Sequence, residues 1–138
     1  MISDILIPIL RERFPGRGLR TGASPDPIAV FPAMHPAVGD VSIWDDGEEA
    51  MVCVGEITHG HFNPYDSSLT PEEIANLVSE DVVAFLDDLF AHRVLLWKSP
   101  DGGAGGWRII EQDHSTSLLD SHDLTFLWSG PVKNPSAG

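Results

Sequence analysis

Residues 70–91 read TPEEIANLVSEDVVAFLDDLFA, and that stretch decides the fold class. Thr70 offers an N-cap oxygen, Pro71 stands at the first helical position, where its missing N–H costs nothing, and Glu73 closes a capping box. Ile74, Leu77, Val78, Val82, Phe85, Leu86, Leu89 and Phe90 recur at helical spacing and form a wide apolar stripe. Glu73, Asn76, Glu80 and Asp87 lie away from it. The spacing predicts one continuous helix over 70–91.

The flanking segments read as strands. Upstream, Val41-Ser42-Ile43-Trp44 and Glu49–Ile57 flank a turn around Asp45-Asp46-Gly47-Glu48. Asp-Gly favours such a turn because glycine accepts positive φ. The expected register pairs Trp44 with Glu49, Ile43 with Ala50 and Val41 with Val52. Val41, Ile43, Ala50, Val52 and Val54 then share an apolar face, and Ser42, Trp44, Met51 and Cys53 take the other. Ile28–Phe31 is a short strand, and the prolines at 27, 32 and 36 suit an edge or strand end. Downstream, Arg93–Ser99 and Trp107–Gln112 are strands joined by the glycine-rich segment 100–106. Asp123–Ser129 is a last strand with Leu124, Phe126 and Trp128 on one face.

Residues 3–14 predict a short amphipathic helix capped by Ser3, which Pro8 either starts or kinks. Residues 15–27 form a connector whose arginines fold back onto acidic residues, and 131–138 a frayed tail. The expected fold is a single α+β domain over residues 1–138. Its antiparallel, meander-like sheet of about five or six strands is packed on one face by the main helix, with the N-terminal helix nearby.

Composition narrows the function. The 138 residues, 42% of them hydrophobic, support one packed core. The net charge is −13, and from Thr21 to His92 there are fourteen carboxylates and neither lysine nor arginine. A field of that sign repels phosphates and anionic lipid and attracts cations or a basic partner. Direct nucleic-acid binding is therefore not expected. Cys53 is the single cysteine, which excludes an intrachain disulfide and a zinc ribbon. The early Asp4 and the lack of a basic n-region argue against a signal peptide, and no run of eighteen apolar residues marks a membrane span. The expected location is the cytoplasm.

The segment Glu56–Asp66 holds the densest metal-ligating chemistry. His59 and His61, two apart on a strand, project from one face, as zinc or a similar divalent metal would require. Asp66 is the first choice for a third donor, because the Asn63-Pro64 turn can bring it back; His35, His92, His114 and His122 follow. The His-Glu-x-x-His and His-x-His-x-Asp-His patterns of zinc hydrolases are absent. Gly102–Gly106 lacks the Lys-Ser/Thr of a phosphate loop and reads as a hairpin tip. Ser115, Thr116 and Ser117 with Asp120, His122 and Asp123 have hydrolytic residue types but no nucleophile elbow. Cys53, between two valines, reads as a packed thiol.

The acids Asp45, Asp46, Glu48, Glu49, Glu80 and Asp87 form the candidate partner surface. Two functions follow. The first is a non-enzymatic acidic module that docks a basic protein, in the manner of an inhibitor or immunity protein, and needs no cofactor. The second is a metal-binding protein or metal-dependent hydrolase built on His59, His61 and Asp66.

Overall fold

The computed structural model describes residues 1–110 and 123–132. In chain order the elements are α1 (Ile2–Arg13), β1 (Arg20–Thr21), β2 (Ala29–Phe31), β3 (Val41–Asp45), β4 (Ala50–Val54) and β5 (Thr58–Phe62). They continue with α2 (Pro71–Phe90), β6 (Val94–Lys98), β7 (Gly105–Ile109), β8 (Leu124–Leu127) and β9 (Gly130–Val132). The fold is α+β and antiparallel, as expected, with its strands shared between two sheets. One has the order β1-β2-β3-β4-β5 and the other β7-β6-β8-β9. Both sheets and both helices contribute to one core cluster. Among the described residues no helix is long and apolar enough to cross a membrane.

The ends of α2 follow from local chemistry. The Glu73 N–H donates to Thr70 Oγ1 at 3.1 Å, and the Thr70 N–H donates to Glu73 Oε1 at 3.0 Å. At the other end the Arg93 N–H reaches the Asp88 carbonyl at 2.8 Å, and the His92 N–H reaches that of Leu89 at 3.2 Å. This is a Schellman closure, with His92 taking the left-handed position at φ 63°. Val78, Phe85, Leu86 and Leu89 are buried in one cluster with Val41, Ile43, Val52 and Val54. Phe85 stands where the helix meets both sheets, its ring 5.7 Å from Phe62 on β5 and 4.7 Å from Trp107 on β7. A second aromatic group, Phe14, Phe31, Phe90 and Trp128, joins α1, β2, α2 and the chain after β8 at centroid distances of 5.2–5.9 Å.

α1 starts earlier than Ser3 implies. Its N-cap is Met1, without a side-chain bond, and it runs through Pro8. The exposed helix start is instead served from the sheet, where Asp45 Oδ2 accepts the Ser3 N–H at 3.2 Å. Leu6 and Leu10 are fully buried, so packing holds a helix that proline would otherwise weaken.

The β3–β4 register differs from expectation by two residues. Trp44 lies opposite Met51, Ile43 opposite Val52 and Val41 opposite Val54. The turn is centred on Gly47 and Glu48, with Gly47 first and at φ 92°, so glycine's freedom is used one place earlier than the Asp-Gly pairing assumed. A shift of two leaves every face unchanged, because side chains alternate with period two. Val41, Ile43, Ala50, Val52 and Val54 are accordingly all buried.

The strand expected over Glu49–Ile57 ends at Val54. The chain turns through Gly55, Glu56 and Ile57 and returns as β5, setting Cys53 opposite His59 and Met51 opposite His61. The segment read as a connector contributes the short β1, and Gly130–Val132 is a strand beside β8 rather than the start of a frayed tail. Leu124 is exposed while Phe126 and Trp128 are buried. Residues 133–138, and the strand end expected at Gln112, lie outside the described residues.

The glycines before Trp107 have a packing role. Gly105 passes so close to the β4–β5 turn that a Cβ on it would sit 2.1 Å from the Ile57 carbonyl oxygen. The glycine run is therefore where one sheet crosses the other, as well as a hairpin tip.

Candidate partner surface and histidine pair

The arginines near the acidic block settle which carboxylates are neutralised. Arg13 donates to both oxygens of Asp87, at 3.1 and 2.7 Å, and this carboxylate raises the guanidinium pKa further. Arg93 pairs with Asp88 at 2.8 Å, and Arg20 lies 3.9 Å from Asp40. Two acids at the negative end of α2 are thereby repaired, one from a neighbouring helix and one locally. Asp87, expected in the partner surface, is occupied by this pair. Glu80 is exposed on α2.

The β3–β4 turn is treated differently. Asp45, Asp46, Glu48 and Glu49 place four carboxylates in five residues. Among the described residues no lysine or arginine pairs with any of them. Asp45 is held by backbone, its Oδ1 accepting the Gly47 N–H at 2.9 Å and its Oδ2 capping α1. Glu49 lies 3.4 Å from His61 Nδ1, and Asp46 and Glu48 are exposed. Behind this turn, the outer face of the sheet carries half-buried Trp44 and Met51 beside His61.

His59 and His61 do share the outer face with Cys53 and Met51. Cross-strand pairing sets them there, because the three-residue turn after β4 pairs odd positions with odd positions. Their rings lie 5.4 Å apart, edge to face. Asp66 is engaged elsewhere. Its Oδ1 accepts the Ser68 hydroxyl at 2.6 Å and the Ser68 N–H at 3.0 Å, which hold its carboxyl below the usual carboxylate range. His35 Nδ1 accepts the Ala37 N–H, and His92 closes α2. Among the described residues no three His, Cys, Asp or Glu gather as a metal would need. His114, His122 and the residues 115–120 lie outside the described residues.

A cleft of about 550 Å³ opens between the β4–β5 turn and the β6–β7 hairpin, lined among others by Cys53, Glu56, Thr58, His59 and Lys98. Its glycine loop does not form an anion cradle. Gly102 N–H donates to the Ser99 carbonyl, Gly103 N–H to Asp101 Oδ1 and Ala104 N–H to Ser99 Oγ, so these amides are spent within the loop. Burial pushes the Cys53 thiol above its ordinary pKa, the opposite of what a nucleophile needs.

Sequence reasoning passed over Tyr65. It is 77% exposed and has a positive φ of 53°, with its N–H on Asn63 Oδ1 at 2.7 Å. The Asn-Pro pair marks a turn, but nothing in residue order gives the sign of φ one residue later. No family model, curated protein or solved structure matches the chain.

Proposed function

We propose that this protein is a non-enzymatic interaction module whose β3–β4 turn docks a basic protein partner. One observation carries the reading: arginines neutralise Asp40, Asp87 and Asp88, while Asp45, Asp46, Glu48 and Glu49 are left without a lysine or arginine among the described residues. Like charges crowded at a tight turn repel one another and oppose folding, a cost that a cationic partner would reverse. Half-buried Trp44 and Met51 next to them supply the apolar centre that charged rims surround in protein interfaces. An inhibitor or immunity protein acting on a basic, nucleic-acid-directed enzyme is the concrete form of this function.

The test is affinity capture from the source cell, with mass spectrometry of what is retained. The expected partner has a strongly basic surface, is lost when Asp46→Asn, Glu48→Gln and Glu49→Gln are combined, and associates more slowly as salt rises. Retention of the same protein by the triple variant, or an on-rate indifferent to salt, would refute the reading.

The facing rings of His59 and His61 support a second reading, a divalent-metal site. Two donors of the usual four make it the weaker of the two. Metal analysis of protein purified without an affinity tag separates them: a stoichiometric metal lost in His61→Ala favours the second.

A further inference from the structure

Two sulfur and two imidazole side chains meet on the outer face of the sheet. β4 presents Met51 and Cys53 there, and β5 presents His59 and His61. The register sets Met51 directly opposite His61 and Cys53 directly opposite His59. Residues opposed in this way on one face have Cβ atoms about 4.5–5.5 Å apart, so each sulfur is within reach of an imidazole. The two rings lie 5.4 Å apart, which closes the block along β5.

The block is fixed from behind and open in front. Val52 and Val54, the alternate residues of β4, are buried in the core. Met51 and Cys53 are half-buried, while His59 and His61 are exposed. An ion can therefore arrive from solvent at the imidazoles and settle against the sulfurs. His61 also has the outer partner typical of a ligating imidazole. Glu49 Oε1 lies 3.4 Å from its Nδ1, and a carboxylate there favours a proton on that nitrogen and leaves Nε2 as the donor.

The donor types select the metal. Among the described residues no three of His, Cys, Asp or Glu converge, which is unfavourable to zinc, whose closed sites take four such ligands. Thioether and thiolate are instead the ligands that select Cu(I), and imidazole serves copper as well. Cu(I) is a closed-shell ion that accepts low coordination, so a thioether–imidazole pair with a second imidazole alongside suits it. We propose that Met51 and His61, with His59 and Cys53 beside them, form a binding site for a soft monovalent metal ion of the Cu(I) class. This rests on the histidine metal reading above, adds Met51 to its donors and names the ion they select.

The experiment titrates metal-free protein, purified without an affinity tag, with Cu(I) under anaerobic ascorbate against a chromogenic Cu(I) chelator, and separately with zinc. The methyl groups of the three methionines are labelled with carbon-13 and followed by NMR. Wild type is expected to take up one Cu(I) per chain. The Met51 methyl signal should shift on binding, and those of the exposed Met1 and Met34 should stay in place. Met51→Leu, a change nearly neutral in volume, should weaken Cu(I) about tenfold or more and leave zinc affinity unchanged. Glu49→Gln should weaken Cu(I) about tenfold, the scale for the outer partner of a ligating imidazole. A Met51 methyl that stays in place when Cu(I) binds overturns the proposal, and this readout needs no variant. Uptake lost in Cys53→Ser but kept in Met51→Leu marks binding at a lone thiol and overturns it too. Zinc held through His61 without Cu(I) uptake overturns it and leaves the divalent reading standing. If neither ion binds, both fall.

Discussion

Replacing Phe85 with alanine probes the contact on which the two-sheet architecture depends. The side chain is 5% exposed and stands between Phe62 and Trp107, at 5.7 and 4.7 Å. Deleting a buried phenylalanine in a packed core costs about 3–5 kcal/mol, including the cavity left behind. Two aromatic neighbours on different sheets place this site towards the upper part of that range. Alanine's better helix propensity returns only about 0.5 kcal/mol. The net expectation is a loss of about 4 kcal/mol, a large part of the roughly 5–15 kcal/mol typical of whole domains. At roughly 4 °C per kcal/mol for a chain of this length, the thermal midpoint should fall by about 15 °C. Urea unfolding followed by tryptophan fluorescence measures the loss, since Trp107 touches the deleted ring. Leu77→Ala on the same helix is the control. Leu77 is 39% exposed, and its truncation should cost well under about 1 kcal/mol. Equal losses for the two variants, or a loss below about 1.5 kcal/mol for Phe85→Ala, would refute the assigned helix face and the bridge between sheets.

Gly105→Ala should destabilise by about 1–3 kcal/mol or more in chemical denaturation, because its Cβ meets the Ile57 carbonyl and neither backbone can yield freely. His92→Gly should stabilise by about 1 kcal/mol, since the Schellman position at φ 63° suits glycine. Ser79→Ala should also stabilise, by about 1 kcal/mol, because its buried hydroxyl has no hydrogen-bond partner among the described residues and alanine is the better helix former; a loss of stability would reveal a partner for that oxygen. Asp66 should titrate below the ordinary aspartate value of about 3.9 in a carboxyl-resolved NMR experiment, and Ser68→Ala should move it back up. Its folded pKa is depressed, so its contribution to stability is complete above the unfolded value and disappears as pH falls through the folded one.

What residue order determined acts over short range. The limits of α2, its capping box and most of its buried stripe follow from contacts within a turn or two of helix and were legible; Leu77, read into the stripe, is exposed, and Ala75 and Ser79 are buried in its place. The faces of β3 and β4 were legible too, because alternation survives any even shift, whereas the partner of each residue was not, because the turn's placement of Gly47 decides it. That His59 and His61 share a face was legible from their spacing, but their places opposite Cys53 and Met51 come from a turn the sequence did not announce. Tertiary structure decided the fate of two of the acids: Arg13 neutralises Asp87 across 74 residues and Asp45 caps α1 across 42, whereas Asp66 and Asp88 are taken up locally, by Ser68 and Arg93. Which distant cation or amide reaches a carboxylate depends on which loops the fold closes, and that closure is set by the whole core rather than by neighbours in the chain. The positive φ at Tyr65 was not legible either: it lies in the loop between β5 and the capped start of α2, where its N–H is held by Asn63 Oδ1.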